Sequence, residues 1–232
     1  ATTSCLHYSV RVRARAMRCI IRLRGHSLVE VVVPKSFDQT LIPQILEEQM
    51  DWIIRKQAEV GRLEVQCRPE CIALESVGET WTLTYQYDDT DSVSVREQPG
   101  FNLHVFGNVC DVANATSALN GWVNRQAYRI LPKWIETLGS ELCVTYKRIT
   151  VRRQKTVWGS CSGKRNINLN QNLIFLPEQM VHYVLLHELS NLEQLNHSPL
   201  FWDLMEERFK GSRQMSAHLK KADSYVPLWA KP

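Results

Sequence analysis

Two histidines and a glutamate close together in the last quarter of the chain have the spacing of a metal-dependent hydrolase. The sequence reads His187-Glu188-Leu189-Ser190-Asn191, and His197 follows. Because a helix turns about 100° per residue, positions 187 and 191 lie one turn apart on the same face, with Glu188 at its edge. Two metal ligands at this spacing, with a glutamate between them as general base, are typical of a zinc-hydrolase helix. Asparagine occupies the second ligand position, where such a helix has histidine.

The chemistry of such a site needs three protein ligands and a fourth position for water. Zinc lowers the pKa of that water, and a glutamate placed as Glu188 is takes its proton. The ring nitrogens of His187 and His197 are expected to converge to within about 3–4 Å, since two zinc bonds must meet at one point. Asn191 offers only a neutral amide oxygen, whereas zinc prefers imidazole, thiolate or carboxylate. The sequence therefore predicts a Zn²⁺ site at which the metal is bound weakly or not at all.

A longer stretch around these residues resembles a known family. HELSNLEQLNHSPLFW, residues 187–202, is similar to the HELxHLxxxNHSxxFW stretch of the YgjP-like (WLM-type) metallopeptidases, distant relatives of the SprT/Spartan proteases. Upstream, VWGSCS at 157–162 and NINLN at 166–170 resemble the WGSCS and INLN segments of that family. The resemblance implies a zinc-dependent peptide hydrolase with Glu188 as base and His187, position 191 and His197 as ligands. Asn191 departs from the family pattern.

The upstream segment is a candidate for substrate binding. In zinc peptidases an edge strand beside the active helix pairs with the extended backbone of the substrate. We therefore expect an unpaired strand edge near 158–170, and contacts to a peptide or protein substrate from Trp158, Gly159, Ser160, Cys161 and Asn168. The alternative is a plain interior hairpin with a bend at the glycine, in which the thiol is simply small and buried.

Several elements must position these residues. Pro177 is expected to open the helix of His187, and Ser198 and Pro199 to form the N-cap and first residue of the next helix. Alternation over residues 8–33 predicts a hairpin, and short strands follow between 63 and 107. A helical pattern spans 111–138, where Pro132 should kink or divide it. These patterns predict an α+β fold, with a small antiparallel or mixed sheet packed on a zincin-type helix.

The predicted organisation has two parts. Residues 1–107 form a β-rich N-terminal region with one helix, and residues 108–232 form a zincin-like metallopeptidase domain. The chain has 232 residues, of which 44% are hydrophobic, so a sizeable core can be buried. No apolar run approaches the length of a membrane span, and no signal-peptide segment is visible at the beginning of the sequence. The seven scattered cysteines favour reduced thiols and a cytoplasmic location.

Two alternatives remain beside a weakened peptidase. One is a catalytically inactive pseudo-peptidase that binds a peptide or protein partner. The other is a nucleic-acid-associated protease, although a net charge of +4 is small for a dedicated nucleic-acid binder. Nothing in the sequence indicates an oligomeric state. The cations available to the second alternative are Arg11, Arg13, Arg15, Arg152, Arg153 and Lys155.

Overall fold

The computed structural model of the chain describes residues 8–13, 17–24, 28–57 and 68–231. Helices and small sheets alternate along these residues, and the predicted α+β class is confirmed. The chain forms two compact units, each assembled from three segments. Unit 1 comprises Ala1–Pro69, Gln86–Val93 and Phe106–Ala115, and unit 2 comprises Glu70–Tyr85, Ser94–Val105 and Thr116–Pro232.

A three-stranded sheet begins the described part of unit 1. Its strands are β1 (Tyr8–Val12), β2 (Ile20–Arg24) and β3 (Leu28–Val33), in the order β1-β3-β2. β2 and β3 are antiparallel neighbours, whereas β1 pairs with β3 in parallel. The hairpin predicted over 8–33 corresponds to β2 and β3. It does not account for β1, which pairs in parallel with the other side of β3. Residues 25–27, between β2 and β3, and Arg15 lie outside the described residues.

The core of unit 1 lies on one face of β3. Val29, Val31 and Val33 are fully buried there, as expected for alternate residues of a strand. They cluster with Ile42 and Leu46 of helix α1 (Ile42–Glu48) and with a buried residue of α2, whose helical backbone is described over 50–57. Pro43 lies in the first turn of α1, where a missing N–H is tolerated.

Four strands follow, as the sequence predicts. They are β4 (Cys71–Leu74), β5 (Glu79–Tyr87), β6 (Val93–Gln98) and β7 (Asn102–Gly107), in the order β4-β5-β7-β6. Gly107 has a φ of +114°, and a Cβ there would lie 2.1 Å from the backbone oxygen of Ser92. Only glycine fits this close backbone approach at the end of β7.

The long helix α3 (Val112–Glu141) has 30 residues and continues past its proline. Pro132 lies inside it, so of the predicted kink or division, the division does not occur. Trp122, with no exposed surface, is the largest fully buried side chain of the helix. Its indole N–H donates to Glu97 Oε1 at 2.9 Å, and its ring packs edge-on against Trp81. This helix therefore anchors the core of unit 2 through a buried aromatic residue whose N–H group has a hydrogen-bond acceptor.

The C-terminal elements carry the predicted site. A second three-stranded sheet has the order β8-β10-β9 and consists of β8 (Arg148–Arg152), β9 (Gly159–Cys161) and β10 (Asn166–Asn170). Helix α4 (Glu178–Asn191) starts directly after Pro177, as predicted. Ser198 caps α5 (Pro199–Arg208) by accepting a hydrogen bond from the N–H of Phe201, which confirms the predicted N-cap. Helix α6 (Ser212–Leu219) and two short 3₁₀ turns complete the described chain.

Two further features concern the described residues only. None of their helices is long and apolar enough to cross a membrane. The cysteines among them are free thiols, at Cys19, Cys71, Cys110, Cys143 and Cys161.

Replacing Trp122 tests the central role of α3. Trp122→Ala removes a fully buried aromatic side chain and is expected to lower the free energy of unfolding by about 3–5 kcal/mol. Tyr128→Ala on the same helix is the control, because Tyr128 is 45% exposed. That change should stay within about 0.5 kcal/mol. Urea denaturation measures both, and equal effects would contradict this description of the core.

Candidate active site

Two histidines meet just beyond the end of α4. His187 comes from the helix, and His197 from the loop that precedes α5. Their Nε2 atoms are 3.2 Å apart, which agrees with the expected convergence. Without a metal, the same contact is a hydrogen bond from a protonated to an unprotonated ring nitrogen. Two zinc–nitrogen bonds at a tetrahedral angle place the nitrogens about 3.4 Å apart, so this pair fits one metal ion.

A buried phenylalanine holds the two rings in place. Phe201 has no exposed surface, and its ring centroid lies 5.0 Å from that of His187 and 4.6 Å from that of His197. The helix that carries it is tied to α4 by Arg208, which donates to Ser190 Oγ at 2.9 Å and also bonds Glu193. The convergence of the histidines therefore depends on the packing of α5 against α4.

Burial keeps His187 neutral. Desolvation, with a smaller contribution from the neighbouring His197, lowers the pKa of His187 to about 4. At neutral pH its imidazole has a free lone pair, which is the form that binds a metal. Its Nδ1 atom is buried and has no hydrogen-bond partner in the described part of the chain. A proton on this Nδ1 leaves Nε2 free to act as the ligand.

Glu188 is a buried carboxyl group. It is 4% exposed, and its Oε2 atom has no hydrogen-bond partner among the described residues. Desolvation raises its pKa to about 7, while a side-chain hydrogen bond from Asn191 acts less strongly in the opposite direction. A base works best when its pKa is near the working pH. Glu188 is therefore suited to accept a proton near neutral pH.

Asn191 is the weak member of the group. It lies one helical turn after His187, and its side-chain amide interacts with Glu188. Within the described residues, no group of three or more His, Cys, Asp and Glu side chains has the arrangement of a metal site. The donor set thus fits a metal through two imidazoles, and the third position offers a neutral amide, which zinc disfavours.

Strand β9 approaches Glu188 closely at a glycine. A Cβ atom on Gly159 would lie 2.7 Å from Oε1 and 2.9 Å from Cδ of Glu188. Such distances are too short for real Cβ contacts, so the absence of a side chain permits this approach. Cys161 is two residues along the strand and therefore on the same face. Burial, and to a lesser extent the charge of Glu188, raise the pKa of its thiol, which favours an unreactive thiol.

The outer edge of β9 is free of strand partners in the described structure. β9 pairs with β10 on one side, and no described strand pairs with its other side. The N–H of Asn170 donates to the Trp158 carbonyl at 2.8 Å. Because hydrogen-bonded and non-bonded pairs alternate in an antiparallel ladder, the backbone groups of Gly159 and Cys161 point away from β10. The predicted unpaired edge is therefore present.

A cavity of about 260 Å³ joins this strand to the helix. Trp158 and Gly159 line it together with His187 and Glu188. The other residues predicted to contact substrate do not line it. Asn168 Nδ2 donates to Ser160 Oγ at 3.3 Å on the opposite face of the sheet, and Cys161 is not among the residues that line the cavity. The structure thus brings two of the five predicted substrate residues to the cavity.

Other residues of the site were not expected from the sequence. Tyr183 and Ser216 also line the cavity. Tyr183 precedes His187 by one helical turn, so its position on the same face could have been predicted from the spacing. Ser216 comes from α6, and its contribution requires the packing of separate helices.

Asn170 also has a role that its sequence position conceals. Strand alternation with Ile167 and Leu169 places it with the polar residues Asn166 and Asn168, yet it is 5% exposed. Its side-chain N–H groups donate to the carbonyl oxygens of Gln154 at 3.0 Å and Val157 at 2.9 Å. These bonds fix the segment that leads into β9, and with it the wall of the cavity.

Known proteins show the following similarities. The family model described as "YgjP-like, metallopeptidase domain" matches residues 17–222, which is most of the chain. No curated protein matches it. Among solved structures, the metallopeptidase zymogen of Pyrococcus abyssi abylysin is similar, with 23% identity and a TM-score of 0.36. That match covers 40% of this chain and 93% of the other.

Gly159→Ala tests the close contact between β9 and the helix. The new Cβ would collide with the Glu188 carboxylate, and such overpacking is expected to destabilise the protein by about 1–3 kcal/mol. Gly163→Ala is the matched control, because a Cβ there meets no atom within 4 Å. Urea denaturation of both variants gives the comparison.

A double-mutant cycle identifies the colliding group. In a Glu188→Ala background the carboxylate is gone, so Gly159→Ala should then cost much less than it does alone. An equal cost in both backgrounds would mean that some other contact requires the glycine.

Proposed function

Because the chain belongs to the YgjP-like metallopeptidase domain family, we propose that it is a zinc-dependent peptidase weakened at one ligand. The observation that carries this proposal is the 3.2 Å separation of His187 Nε2 and His197 Nε2 beside the buried Glu188. The arrangement of these three side chains supports catalysis. We assign the catalytic part to residues 108–232, and the free thiols support a cytoplasmic location.

The proposed metal ligands are the two histidines. His187 and His197 would hold Zn²⁺ through Nε2, with Asn191 at the third position as a poor ligand. When bound, the metal supplies Lewis-acid polarisation of a water molecule and of the peptide carbonyl. Losing a supporting group around a metal commonly costs about 10–100-fold in affinity, and losing a ligand should cost at least as much. The parent protein is therefore expected to bind zinc only at high zinc concentrations.

Glu188 is the proposed general base. Its unpartnered Oε2 and its pKa of about 7 suit it to take a proton from an attacking water and pass it to the leaving amine. The low polarity that raises this pKa also strengthens electrostatic interactions within the cavity. Because Gly159 has no side chain, the carboxylate can occupy this position, where a Cβ atom would collide with it.

The proposed substrate is an extended peptide segment lying along β9. The outward-pointing N–H and C=O groups of Gly159 and Cys161 can pair with the backbone of such a segment. Main-chain pairing of this kind selects little by sequence, so side-chain preference must come from the cavity walls. Trp158, which lines the cavity next to the histidine, is placed to contact a substrate side chain.

An inactive pseudo-peptidase is the second candidate, and Asn191 favours it. Its amide engages Glu188, so helix and cleft can persist without a complete metal site. A nucleic-acid role has less support from the described cations. Arg11 lies 3.8 Å from Glu30, and Arg153 donates to the backbone carbonyl of Lys231, so both already have protein partners.

Asn191→His tests the weakened-ligand proposal. The added imidazole should raise zinc affinity by about 10–100-fold or more, as measured by competition with a chromogenic chelator. At zinc concentrations 100 times the dissociation constant, the folded state should gain about 2.7 kcal/mol, visible as a higher melting temperature. Gln214→His, on the exposed surface of α6, controls for an added histidine, and Asn191→Ala controls for loss of the amide. Tight zinc binding by the parent, unimproved by Asn191→His, would contradict the proposal.

Glu188→Gln separates metal binding from catalysis. In the Asn191→His background it should abolish hydrolysis of a fluorogenic peptide while zinc binding is retained, because shape is kept and the base is lost. Hydrolysis that survives this substitution would exclude Glu188 as the base. If Asn191→His binds zinc tightly but never hydrolyses peptide, the pseudo-peptidase alternative is favoured.

A further inference from the structure

A second and larger cavity adjoins the candidate active site. It has a volume of about 660 Å³ and shares five lining residues with the smaller cavity, so the two lie side by side within unit 2. The shared residues come from the segment before β9 and from α6, and they are Thr156, Val157, Trp158, Ser216 and Leu219. We call the larger cavity the lysine groove, after the residues at its rim.

The rim of the lysine groove carries excess positive charge. Three lysines line it, Lys155, Lys220 and Lys231, against a single carboxylate, Asp223. Lys231 Nζ lies 4.0 Å from Asp223 Oδ2, so the one acid is already paired with a lysine. In the described structure, neither Lys155 nor Lys220 forms an ion pair. Two lysine ammonium groups are thus left available to an anionic ligand.

The wall of the lysine groove presents buried acceptors that lack partners. Asn172 is 3% exposed, and its Oδ1 has no hydrogen-bond partner among the described residues, while its Nδ2 donates to the Ala230 carbonyl. Gln154 Oε1 is likewise buried and unpartnered there. Both residues line the groove, and a buried acceptor without a partner is costly, so an N–H donor from a ligand that reached either oxygen would stabilise it.

We propose that the lysine groove binds an acidic segment of the substrate peptide, and that carboxylates near the scissile bond select substrates. This inference rests on the proposed peptidase function. The chain from Gln154 to Gly159 can span at most about 17 Å, and an extended peptide covers that length in about five residues. The carboxylate therefore lies within about five residues of the bond beside Glu188. It belongs either to an Asp or Glu side chain or to the C-terminus of the peptide.

The same groove fits nucleic acid less well. Phosphodiester groups offer no N–H donor to Asn172 Oδ1 or Gln154 Oε1, whereas every peptide unit other than proline does. Asp223 at the rim would also repel a continuous row of phosphates. A short acidic peptide satisfies both the acceptors in the wall and the ammonium groups at the rim.

Peptide binding to the metal-free protein provides the test. Fluorescence anisotropy in EDTA would compare a labelled ten-residue peptide containing three glutamates with its partner in which glutamines replace them. The acidic peptide should bind more tightly, and added NaCl should reduce the difference because salt screens exposed charges. Lys155→Glu with Lys220→Glu should weaken binding of the acidic peptide about tenfold. Asp223→Asn should strengthen it.

A matched control uses two lysines that do not line the groove. Lys147→Glu with Lys164→Glu changes the net charge by the same amount and should leave the binding largely unchanged. Equal effects of the two double variants would overturn the proposal, because the preference would then reflect overall charge. Equal binding of the glutamate and glutamine peptides, unchanged when their C-termini are amidated, would overturn it as well. The proposal would also be overturned if a ten-nucleotide single strand of DNA bound more tightly than the acidic peptide and lost its affinity when Lys155→Glu and Lys220→Glu were introduced.

Two further comparisons identify which carboxylate is recognised and separate peptide binding from peptide hydrolysis. Amidating the C-terminus of a peptide without glutamates shows whether the terminal carboxylate is the one recognised; either source supports the groove. Because binding is measured without metal, absence of peptidase activity would refute the proposed function and leave this inference standing. Hydrolysis by the Asn191→His variant with no preference for acidic peptides would refute the inference alone.

Discussion

The packing of a buried carboxylate against bare backbone governs this site. Glu188 is nearly inaccessible and lies where a Cβ on Gly159 would collide with it. The same contact brings β9 alongside α4 and excludes water from the carboxylate, which raises its pKa towards neutrality. One steric constraint thus positions the proposed base, tunes it and places the strand edge that would hold a peptide.

The histidine pair depends on a second packing arrangement. His197 lies in a connection between helices, and such segments are mobile unless tied down. Phe201 packs against both imidazoles, and Arg208 links α5 to the last turns of α4. Preorganised ligands matter here because Asn191 contributes little to metal binding. A site with two good ligands loses further affinity if those two must also be ordered when the metal binds.

Much of the site's framework could be predicted from the sequence, because it depends on local spacing. Helical periodicity places His187, Glu188 and Asn191 together, and Ser198 with Pro199 marks the start of α5. The features that the sequence did not predict depend on tertiary contacts. The parallel pairing of β1 with β3 has no local signal, and α3 is not divided at Pro132, which was one of the two outcomes expected there. Asn170 reads as a surface residue, yet its amide is buried against two backbone carbonyls.

Zinc K-edge X-ray absorption of the zinc-loaded parent protein tests the central claim most directly. If His187 and His197 bind the zinc ion together, the spectrum should show scattering from two imidazoles, with zinc–nitrogen distances of about 2.0–2.1 Å. The remaining ligands should be oxygen atoms. His187→Ala should remove one of these imidazoles. A sulfur shell near 2.3 Å, which would place the metal on a cysteine, or a spectrum without imidazole scattering would contradict the account.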